Sequence, residues 1–245
     1  MLQPTKFFYK RLNSTNLYAS QMLLKQSVRE PFWLRTDDQF AGRGQGNHTW
    51  ISEPGQNLTG TLVIFPHRFE ASHQFDLSKT FALAVAGFLD LFIDKVRIKW
   101  PNDLYAEDKK IGGILIETAV LSRYLDYAIL GAGININQEK FPGNLPNPIS
   151  ISILTGLKYD LHDMENLFLE SFLKKYYLIE SGSFEEINNQ YINKLYRYGE
   201  FVDFKDADQI FTAKITGVTE YGHLILQTAS GTIKTYAYPE VEYIL

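Results

Sequence analysis

The 245-residue sequence contains no cysteine, and this absence excludes several kinds of site at once. Without cysteine there are no disulfides, no thiolate zinc sites and no cysteine nucleophile, and a reducing compartment is compatible with the sequence. An excess of positive charge is also absent, because 24 Lys and Arg residues face 28 Asp and Glu residues and the net charge is −4. No block of basic residues suggests a phosphate-binding stripe. General nucleic-acid binding, including DNA binding, is therefore disfavoured.

Long apolar runs and targeting signals are missing too. The longest apolar stretch, residues 81–93, is interrupted by Asp90 and is much shorter than the about 20 residues that cross a bilayer. The first ten residues lack the basic-then-apolar order and the small-residue cleavage site of a secretory signal. We therefore expect a cytoplasmic protein without a membrane span.

Two common kinds of catalytic site are not indicated either. The five histidines have no metal-ligand spacing, so we predict no metal site built by the protein itself. No Gly-x-Ser-x-Gly sequence offers a nucleophilic serine at a strand-to-helix turn. A covalent enzyme intermediate therefore has no candidate residue.

The composition that is present is globular, with 45% hydrophobic and 14% aromatic residues. A chain of this length buries roughly 70 to 75% of its unfolded surface, so a substantial core is expected. Hydrophobic periods predict an α/β core in which consecutive strands with short links pair antiparallel. The predicted strands are residues 32–36, 57–66, 96–100, 111–120 and 127–136, and the predicted helices are residues 12–26, 78–92 and 160–179. The apolar face of the last helix is expected to pack on the sheet.

Two other regions lack this α/β pattern. Residues 37–56 are rich in glycine, have no helical or strand period and are predicted to form an extended loop. From about residue 201 short strands follow one another, at residues 201–205, 209–217, 223–228, 232–237 and 241–244. Five short strands in about fifty residues have the size of a small β-barrel. We therefore place a domain boundary near Leu195.

A glycine-rich segment at residues 41–50, AGRGQGNHTW, is the first candidate binding site. Alternate glycines allow backbone N–H groups to converge on an anion, and Arg43 adds a planar cation with several donors. The segment therefore suits a phosphate or a carboxylate. It lacks the Gly-Lys-Ser/Thr of a Walker A loop and the fingerprint of dinucleotide-binding folds. Taken alone, it is read equally well as a mobile surface turn.

Charged residues also lie at a strand end in residues 97–103, RIKWPND. Strand alternation puts Arg97 and Lys99 on one face, and Pro101 ends the ladder. Asp103 then turns beyond the strand end, where it can position a cation or accept a proton. An ordinary Asn/Asp turn is the favoured interpretation of this segment alone.

Two further segments place glycines on strands. In residues 109–117, KKIGGILIE, a lysine before two glycines indicates close approach of a ligand to the backbone, with a solvated lysine as the alternative. Periodicity does not separate Lys109 from Lys110. In residues 131–135, GAGIN, tight backbone presents Asn135 to an adenine or ribose, or forms a strand-end turn. Rossmann-type binding is rejected, because no third glycine and no helix follow.

Taken together, these segments resemble biotin protein ligases. The segments that carry the resemblance are Ser14-Thr15-Asn16, Gln39, GRGQGN at 42–47, KWPNDLY at 99–105, KKIGGILIE at 109–117 and GAGIN at 131–135. It covers nearly the whole chain, and the order of KWPND, the lysine-Gly-Gly strand and GAGIN is specific. Because Ser-Thr-Asn lies within twenty residues of Met1, we expect a short form without the N-terminal DNA-binding domain of some members.

The resemblance implies an α+β fold. A mixed sheet like that of class II aminoacyl-tRNA synthetases, with flanking helices, is expected to form a catalytic domain over residues 1–195. This domain would bind biotin and ATP. A small SH3-like β-barrel is expected to follow over residues 196–245.

The reaction implied by the resemblance is ATP-dependent ligation. Biotin and ATP give biotinyl-5′-AMP and pyrophosphate, and biotin then moves to a lysine on the biotin carboxyl carrier domain of a biotin-dependent carboxylase. Mg²⁺ would accompany ATP and be held largely by substrate oxygens. This chemistry needs no enzyme nucleophile. The expected partners are the carrier domain and the two small molecules, without DNA or membrane, and the chain is expected to be a monomer or weak homodimer.

The resemblance also assigns roles to residues. Because a carboxylate attacks the α-phosphate, cations must offset the repulsion between two anions. Arg43 and Lys110 are chosen for this catalytic role, and Asp103 is a candidate base for the acceptor amine. The implied biotin-binding residues are Ser14, Thr15, Asn16, Gln39, Arg43, Gly44, Gln45, Lys110, Gly112 and Gly113. The implied adenylate-binding residues are Arg43, Trp50, Lys110, Gly131, Gly133 and Asn135.

The chain departs from the family pattern in two places. The family's glycine-rich loop often reads GRGRRG, whereas Gln45 and Gly46 here leave Arg43 as the only guanidinium of the segment. The segment implied to cover the adenylate, residues 137–149, has no aromatic residue beyond Phe141. Two alternatives to the ligase stay open: a related lipoate-attaching ligase and a non-catalytic biotin-binding sensor.

Overall fold

The computed structural model describes residues 2–244, which fold around a seven-stranded and a five-stranded sheet. The strands are β1 (Thr5–Leu12), β2 (Phe32–Gln39), β3 (Gly42–Arg43), β4 (Thr49–Trp50), β5 (Leu58–Ile64), β6 (Val96–Lys99), β7 (Asp103–Ala106), β8 (Lys109–Leu121), β9 (Tyr124–Ile134), β10 (Phe201–Lys205), β11 (Ile210–Val218), β12 (Leu224–Thr228), β13 (Ile233–Tyr236) and β14 (Glu242–Tyr243). The helices are α1 (Thr15–Leu24), α2 (Gln74–Leu89), α3 (Ile151–Thr155), α4 (Leu161–Glu180) and α5 (Phe184–Lys194).

The larger sheet is mixed. Its strand order is β1-β2-β5-β9-β8-β7-β6, in which β1 and β2 are parallel and the other neighbours are antiparallel. The interior strand β5 is buried along its whole length, as its aliphatic and β-branched residues predict. The β8–β9 hairpin turns at Ser122, which has a left-handed φ of 60°. The predicted antiparallel pairing is therefore confirmed for β8 and β9, whereas the strand predicted at residues 96–100 pairs with β7 and not with β8.

Helices cover both faces of this sheet. On one face α1 begins after Ser14, whose side chain accepts a hydrogen bond from the backbone N–H of Leu17 and so caps the helix. On the other face α2 is buried nearly all round, while α4 packs mainly on α2, with the rings of Phe81 and Phe168 6.0 Å apart. The prediction that α4 packs directly on the sheet is correct only in part: Phe168 contacts Trp33 of β2, Glu165 is paired with Arg35 of β2, and α4 also contacts β5. No helix within residues 2–244 has the length and apolar character needed to cross a membrane.

Short elements account for the differences from the sequence prediction. The region predicted as a loop, residues 37–56, extends β2 and forms the small antiparallel pair β3 and β4. Strand β7 was not predicted. Asp103 is the first residue of β7 and is paired with Lys99 of β6, so it lies within the sheet rather than beyond a strand end. The short helices α3 and α5 were also not predicted.

The C-terminal strands form an antiparallel sheet with the order β13-β12-β11-β10-β14. Its buried residues include Phe204, Ile215 and Leu226, which join the main hydrophobic core. The indole N–H of Trp100, between β6 and β7, donates to the carbonyl of Gly222 at 2.8 Å. The five C-terminal strands agree closely with their predicted positions, and the mixed sheet, flanking helices and second sheet confirm the predicted fold class.

Candidate active site

A cavity of about 690 Å³ lies on the α1 face of the larger sheet. It is lined by all but one of the residues for which the sequence predicted a role. The predicted residues that line it are Ser14, Thr15, Asn16, Gln39, Arg43, Gly44, Gln45, Trp50, Asp103, Lys110, Gly113, Gly131, Gly133 and Asn135. Segments far apart in the chain therefore meet around one space.

Glycines form the floor of the cavity. Gly113 of β8 is directly opposite Gly133 of β9, and both belong to the same face of the sheet as Gly131. A Cβ on Gly131 would collide with the amide of Asn16, and a Cβ on Gly133 would collide with the indole of Trp50. Glycine at these positions therefore lets the Asn16 amide and the Trp50 indole, which both line the cavity, pack directly against the strand backbone.

Gly112, unlike the other predicted residues, does not line the cavity, so the structure does not support its predicted contact with biotin. Strand alternation turns Gly112 to the opposite face from Gly113, so it does not line the cavity. A Cβ on Gly112 would meet the carbonyl oxygen of Gly133 at 3.0 Å. Glycine at this position permits close packing of the two strands.

One end of the cavity is a buried cluster of neutral polar groups. The Oε1 atom of Gln39 accepts from the backbone N–H of Thr15 at 2.8 Å. Thr61 of β5 lies beneath them, with its hydroxyl 2.8 Å from that of Thr15 and 2.7 Å from Oδ1 of Asn16. These contacts fix the α1 N-terminus against β5, so that the polar side chains are positioned before any ligand arrives.

Arg43 enters the cavity from β3 and is paired with Glu117 of β8. Glu117 is held in place by a second contact, because the side-chain amide of Asn16 donates to its Oε2 atom at 2.9 Å. Glu117 lies on the same face of β8 as Gly113. The sequence shows this alternation, but it gave no reason to assign a role to Glu117. The carboxylate thus connects the guanidinium to the polar end of the cavity.

Lys110 is the second predicted cation of the cavity, and its ammonium is 2.6 Å from Oδ1 of Asp103. Its backbone is fixed by the loop that follows β9, since its N–H donates to the carbonyl of Asn147 at 2.8 Å and its carbonyl accepts from Ile149 at 2.9 Å. The sequence could not choose between Lys109 and Lys110. The structure places only Lys110 on the cavity, while Lys109 is exposed.

Trp50 lies over the glycine floor. Its ring centroid is 5.9 Å from the ammonium of Lys110, and its indole covers Gly133. The indole N–H is buried without a hydrogen-bond partner among residues 2–244. Trp50 is therefore placed to pack against a ligand that runs across the floor towards Lys110.

A third cation, Lys99, also lines the cavity and was not assigned a role from the sequence. Its ammonium is 3.3 Å from the hydroxyl of Tyr105 and 5.0 Å from the ring centroids of both Tyr105 and Tyr243. Burial lowers the pKa of Lys99, and the nearby Asp103 carboxylate opposes this effect only in part. The alternation of Arg97 and Lys99 along the predicted strand was the sequence signal for Lys99. The contact with Tyr243 of the C-terminal strand depends on the fold and could not be predicted from it.

The far end of the cavity is closed by two segments. The loop after β9 contributes Phe141, and Asn135 is hydrogen-bonded to this loop through its side-chain amide, which donates to the carbonyl of Ile149 at 2.9 Å. The C-terminal region contributes Tyr238 and Glu242. Both sheets thus form walls of one site, in which neutral polar groups and the Arg43–Glu117 pair lie at one end, and Lys99 and Lys110 lie towards the other.

The fold and this site are those of an enzyme that joins an organic acid to a protein. A sequence profile of the Biotin/lipoate A/B protein ligase family matches residues 8–135, and the Biotin protein ligase C terminal domain matches residues 199–242. The chain therefore belongs to the biotin/lipoate protein ligase family, and within it to the biotin protein ligases.

Individual relatives agree with this assignment. A biotin--[acetyl-CoA-carboxylase] ligase of Paracoccus denitrificans is 28% identical over 229 residues, which cover 90% of this chain and 93% of the relative. The bifunctional ligase/repressor BirA of Bacillus subtilis is 28% identical over 236 residues, 94% of this chain and 71% of the relative. The biotin protein ligase of Aquifex aeolicus in complex with biotin and ATP superimposes with a TM-score of 0.80 at 25% identity, covering 98% of this chain and 99% of that one.

Proposed function

We propose that this chain forms biotinyl-5′-AMP from biotin and ATP, and then transfers biotin to a lysine of a biotin carboxyl carrier domain. The observation that carries the proposal is that Arg43 and Lys110, from separate segments, line one cavity with the polar turn at residues 14–16. A complex of the Aquifex relative with biotin and ATP supports the choice of substrates. The name of the Paracoccus relative supports a carboxylase component as acceptor.

In the first half-reaction a carboxylate oxygen of biotin forms a bond to the α-phosphorus of ATP, and the bond to pyrophosphate breaks. Two anions must approach each other, so their repulsion has to be offset by fixed positive charge. Arg43 and Lys110 supply this charge on opposite sides of the cavity. Ser14, Thr15, Asn16 and Gln39 would hold the ureido ring, and the glycine floor would accommodate the acyl chain and the adenylate.

In the second half-reaction the acceptor amine attacks the acyl carbon, AMP leaves and the amine loses a proton. Asp103 is the candidate to orient the amine or take the proton, and it is now paired with Lys110 at 2.6 Å. A ligand anion that attracts Lys110 would loosen this pair and make the Asp103 carboxylate available. The ion pair thus connects the two half-reactions.

Mg²⁺ enters the proposal as part of the ATP substrate. Within residues 2–244 no group of three or more His, Asp and Glu side chains is placed to hold a metal ion. A Mg²⁺ ion commonly binds through substrate phosphates with few protein ligands, and the cation-rich end of the cavity fits phosphates rather than a bare metal ion. We therefore assign Mg²⁺ to the nucleotide.

We also propose that the chain comprises a catalytic domain of residues 1–195 and a C-terminal domain of residues 196–245. This division is supported by the end of α5 at Lys194 and the start of β10 at Phe201. Because Tyr238 and Glu242 line the cavity, both domains are expected to be needed for activity.

The test is mass spectrometry of an apo carrier domain incubated with the protein, biotin and Mg-ATP. The expected result is the addition of one biotinyl group at one lysine, dependent on ATP. Labelling by lipoate in preference to biotin, in competition, would identify a lipoate-attaching ligase instead. Biotin binding without pyrophosphate release from ATP would identify a non-catalytic sensor.

A further inference from the structure

The glycine-rich segment folds as a hairpin, and His48 lies at its tip. Strands β3 and β4 pair Arg43 with Thr49, and the backbone N–H of Gly44 donates to the carbonyl of His48 at 2.8 Å. The N–H of His48 in turn donates to the carbonyl of Gln45 at 3.2 Å. The N–H of Gly44 is therefore used within the hairpin rather than offered to an anion, and the backbone of His48 is held on both sides.

Strand alternation places the imidazole of His48 on the same face of the hairpin as the indole of Trp50. Both side chains line the cavity. Trp50 is half-buried whereas His48 is exposed, so the imidazole lies on the solvent side of the indole. A Cβ on Gly44 would come within 3.3 Å of the Cβ of His48. Glycine at that position therefore leaves space beside the imidazole.

Trp50 also relates His48 to the cation end of the cavity. Three groups meet at Gly113, because a Cβ placed there would be 3.5 Å from Oδ1 of Asp103, 3.6 Å from Cε of Lys110 and 3.6 Å from the indole of Trp50. His48 is two residues, about 7 Å, from Trp50 along the hairpin. The imidazole thus lies between the Asp103–Lys110 pair and the solvent, and an amine that arrives from solvent passes it before it reaches that pair.

The imidazole is available for chemistry. Of the five histidines, all within the described residues, only His48 lines the cavity. His73 is paired with Asp76, whereas the ring of His48 forms no hydrogen bond or ion pair within residues 2–244. Imidazole is the side chain that changes charge near neutral pH, and its neutral form accepts protons. Oδ1 of Asp103, by contrast, is occupied by the ammonium of Lys110 at 2.6 Å. The charged groups that share the cavity with His48 are Arg43, Lys99, Asp103, Lys110 and Glu242.

We propose that His48 is a further catalytic residue, which accepts the proton of the acceptor amine in the second half-reaction. The inference rests on the proposed function and divides its second step between two groups, since Asp103 orients the amine and the imidazole takes the proton. The amine nitrogen forms a bond to the acyl carbon, the bond from that carbon to the AMP oxygen breaks, and AMP leaves with the electron pair. The proton lost by the nitrogen passes to the neutral imidazole and then to water.

The test measures the two half-reactions separately in His48→Ala. The burst of pyrophosphate release without an acceptor reports the first, and single-turnover transfer from the bound adenylate to an apo carrier domain reports the second. Pyrophosphate release should stay within about threefold of the wild type, as for an exposed substitution. Transfer should slow about a hundredfold, because the general base is lost. Added imidazole should restore part of the transfer rate, since a free base can occupy the space of the missing ring.

The matched control is His67→Ala, because His67 is also exposed but does not line the cavity. Its transfer rate should equal that of the wild type and should not respond to imidazole. The pH profile gives a second readout. A base must be unprotonated to act, so between about pH 5 and 8 the wild-type transfer rate should rise more steeply with pH than that of His48→Ala.

Three results would overturn the inference: equal transfer rates in the two variants, an equal loss in both half-reactions of His48→Ala, or a transfer rate that imidazole does not restore. Failure of the proposed function would look different, because the wild-type protein would then release no pyrophosphate from ATP in the presence of biotin. The wild-type burst therefore separates the two failures.

Discussion

At the scale of single residues, the two predicted cations of the cavity are each paired with a carboxylate of the sheet. Arg43 is paired with Glu117, and Lys110 with Asp103. Both pairs are partly exposed, so the carboxylates hold the cations in position without contributing much to the stability of the fold. An arriving carboxylate or phosphate can replace these partners because it also presents anionic oxygen atoms. The pairs therefore prepare the site for anions.

We expect Lys110→Gln to lower the rate of biotin transfer by about a hundredfold or more, because it removes a preorganised cation from the transition state. The measurement is single-turnover labelling of an apo carrier domain, together with a thermal melt. The matched control is Lys109→Gln, since Lys109 precedes Lys110 in β8 but is exposed and does not line the cavity. Equal rates in the two variants would contradict the role of Lys110.

At the residue scale, Lys99 is expected to make the reaction with ATP depend on pH. Because burial lowers its pKa, Lys99 loses its proton at a lower pH than an ordinary lysine, and its positive charge disappears as the pH rises through that lowered value. If Lys99 assists the binding of phosphates, kcat/KM for ATP should fall on the alkaline side. An arginine stays charged throughout this range, so Lys99→Arg should move the alkaline fall to higher pH. The same alkaline fall in both proteins would exclude Lys99 as its source.

Residues within one sequence motif were predictable, whereas partners brought together by the fold were not. The glycines and cations of the motifs identified Arg43 and Lys110, since these residue types are unusual on strands and loops of this kind. Glu117 and Lys99 were present in the quoted motifs but received no role. Their functions depend on contacts with β3 and the C-terminal strand β14, which no spacing in the sequence reports.

At the scale of elements, the cavity depends on three strands that each present small residues to the same face. Gly113, Gly131 and Gly133 of β8 and β9 leave the backbone bare, and the neighbouring strand β5 contributes threonines. A side chain on Gly131 or Gly133 would displace Asn16 or Trp50, which both line the cavity. The strand pairing that stabilises the core therefore also determines the depth of the site.

We expect Gly131→Ala to weaken biotin binding by about tenfold or more while the protein remains folded. The new Cβ would collide with the amide of Asn16, and overpacking of this kind costs about 1–3 kcal/mol. Asn16 belongs to the polar turn that is proposed to hold the ligand, so part of that free-energy cost weakens binding. The control is Gly143→Ala, because a Cβ there meets nothing within 4 Å. Calorimetric titration with biotin measures the effect, and equal affinities in the two variants would contradict it.

Long periodic elements were predicted better than short ones, for physical reasons. The helix α4 and the five C-terminal strands carry clear apolar periods between turn residues. Strand β7 has only four residues between two turns, too few for a period to be recognised. Helix α5 is mostly polar and buries only Ile187 and Tyr191, so its position depends on tertiary packing against α2.

At the scale of the whole molecule, the two sheets are connected beside the cavity. Trp100 follows β6, and its indole N–H donates to the carbonyl of Gly222 in the C-terminal region at 2.8 Å. Its ring also contacts that of Tyr238, with centroids 6.3 Å apart. Because Tyr238 and Glu242 line the end of the cavity away from the polar cluster, movement between the sheets would change that end first.

We therefore expect Trp100→Phe, which keeps an aromatic ring but removes the N–H donor, to act unequally on the two substrates. The lost hydrogen bond is worth about 1 kcal/mol, enough to raise the KM for ATP about fivefold if the C-terminal wall is displaced. The KM for biotin should stay unchanged, because the residues that bind its ring lie at the other end of the site. Pyrophosphate release, measured with each substrate varied in turn, gives both constants.

Trp33→Phe is the matched control for this variant. Trp33 is fully buried in the core, and its indole N–H has no hydrogen-bond partner among residues 2–244. Its replacement should lower the melting temperature through lost packing and leave the ratio of the two KM values unchanged. If Trp100→Phe instead raised both KM values equally, or only lowered the melting temperature as Trp33→Phe does, the contact with Gly222 would serve stability alone. The C-terminal sheet would then not control the nucleotide end of the site.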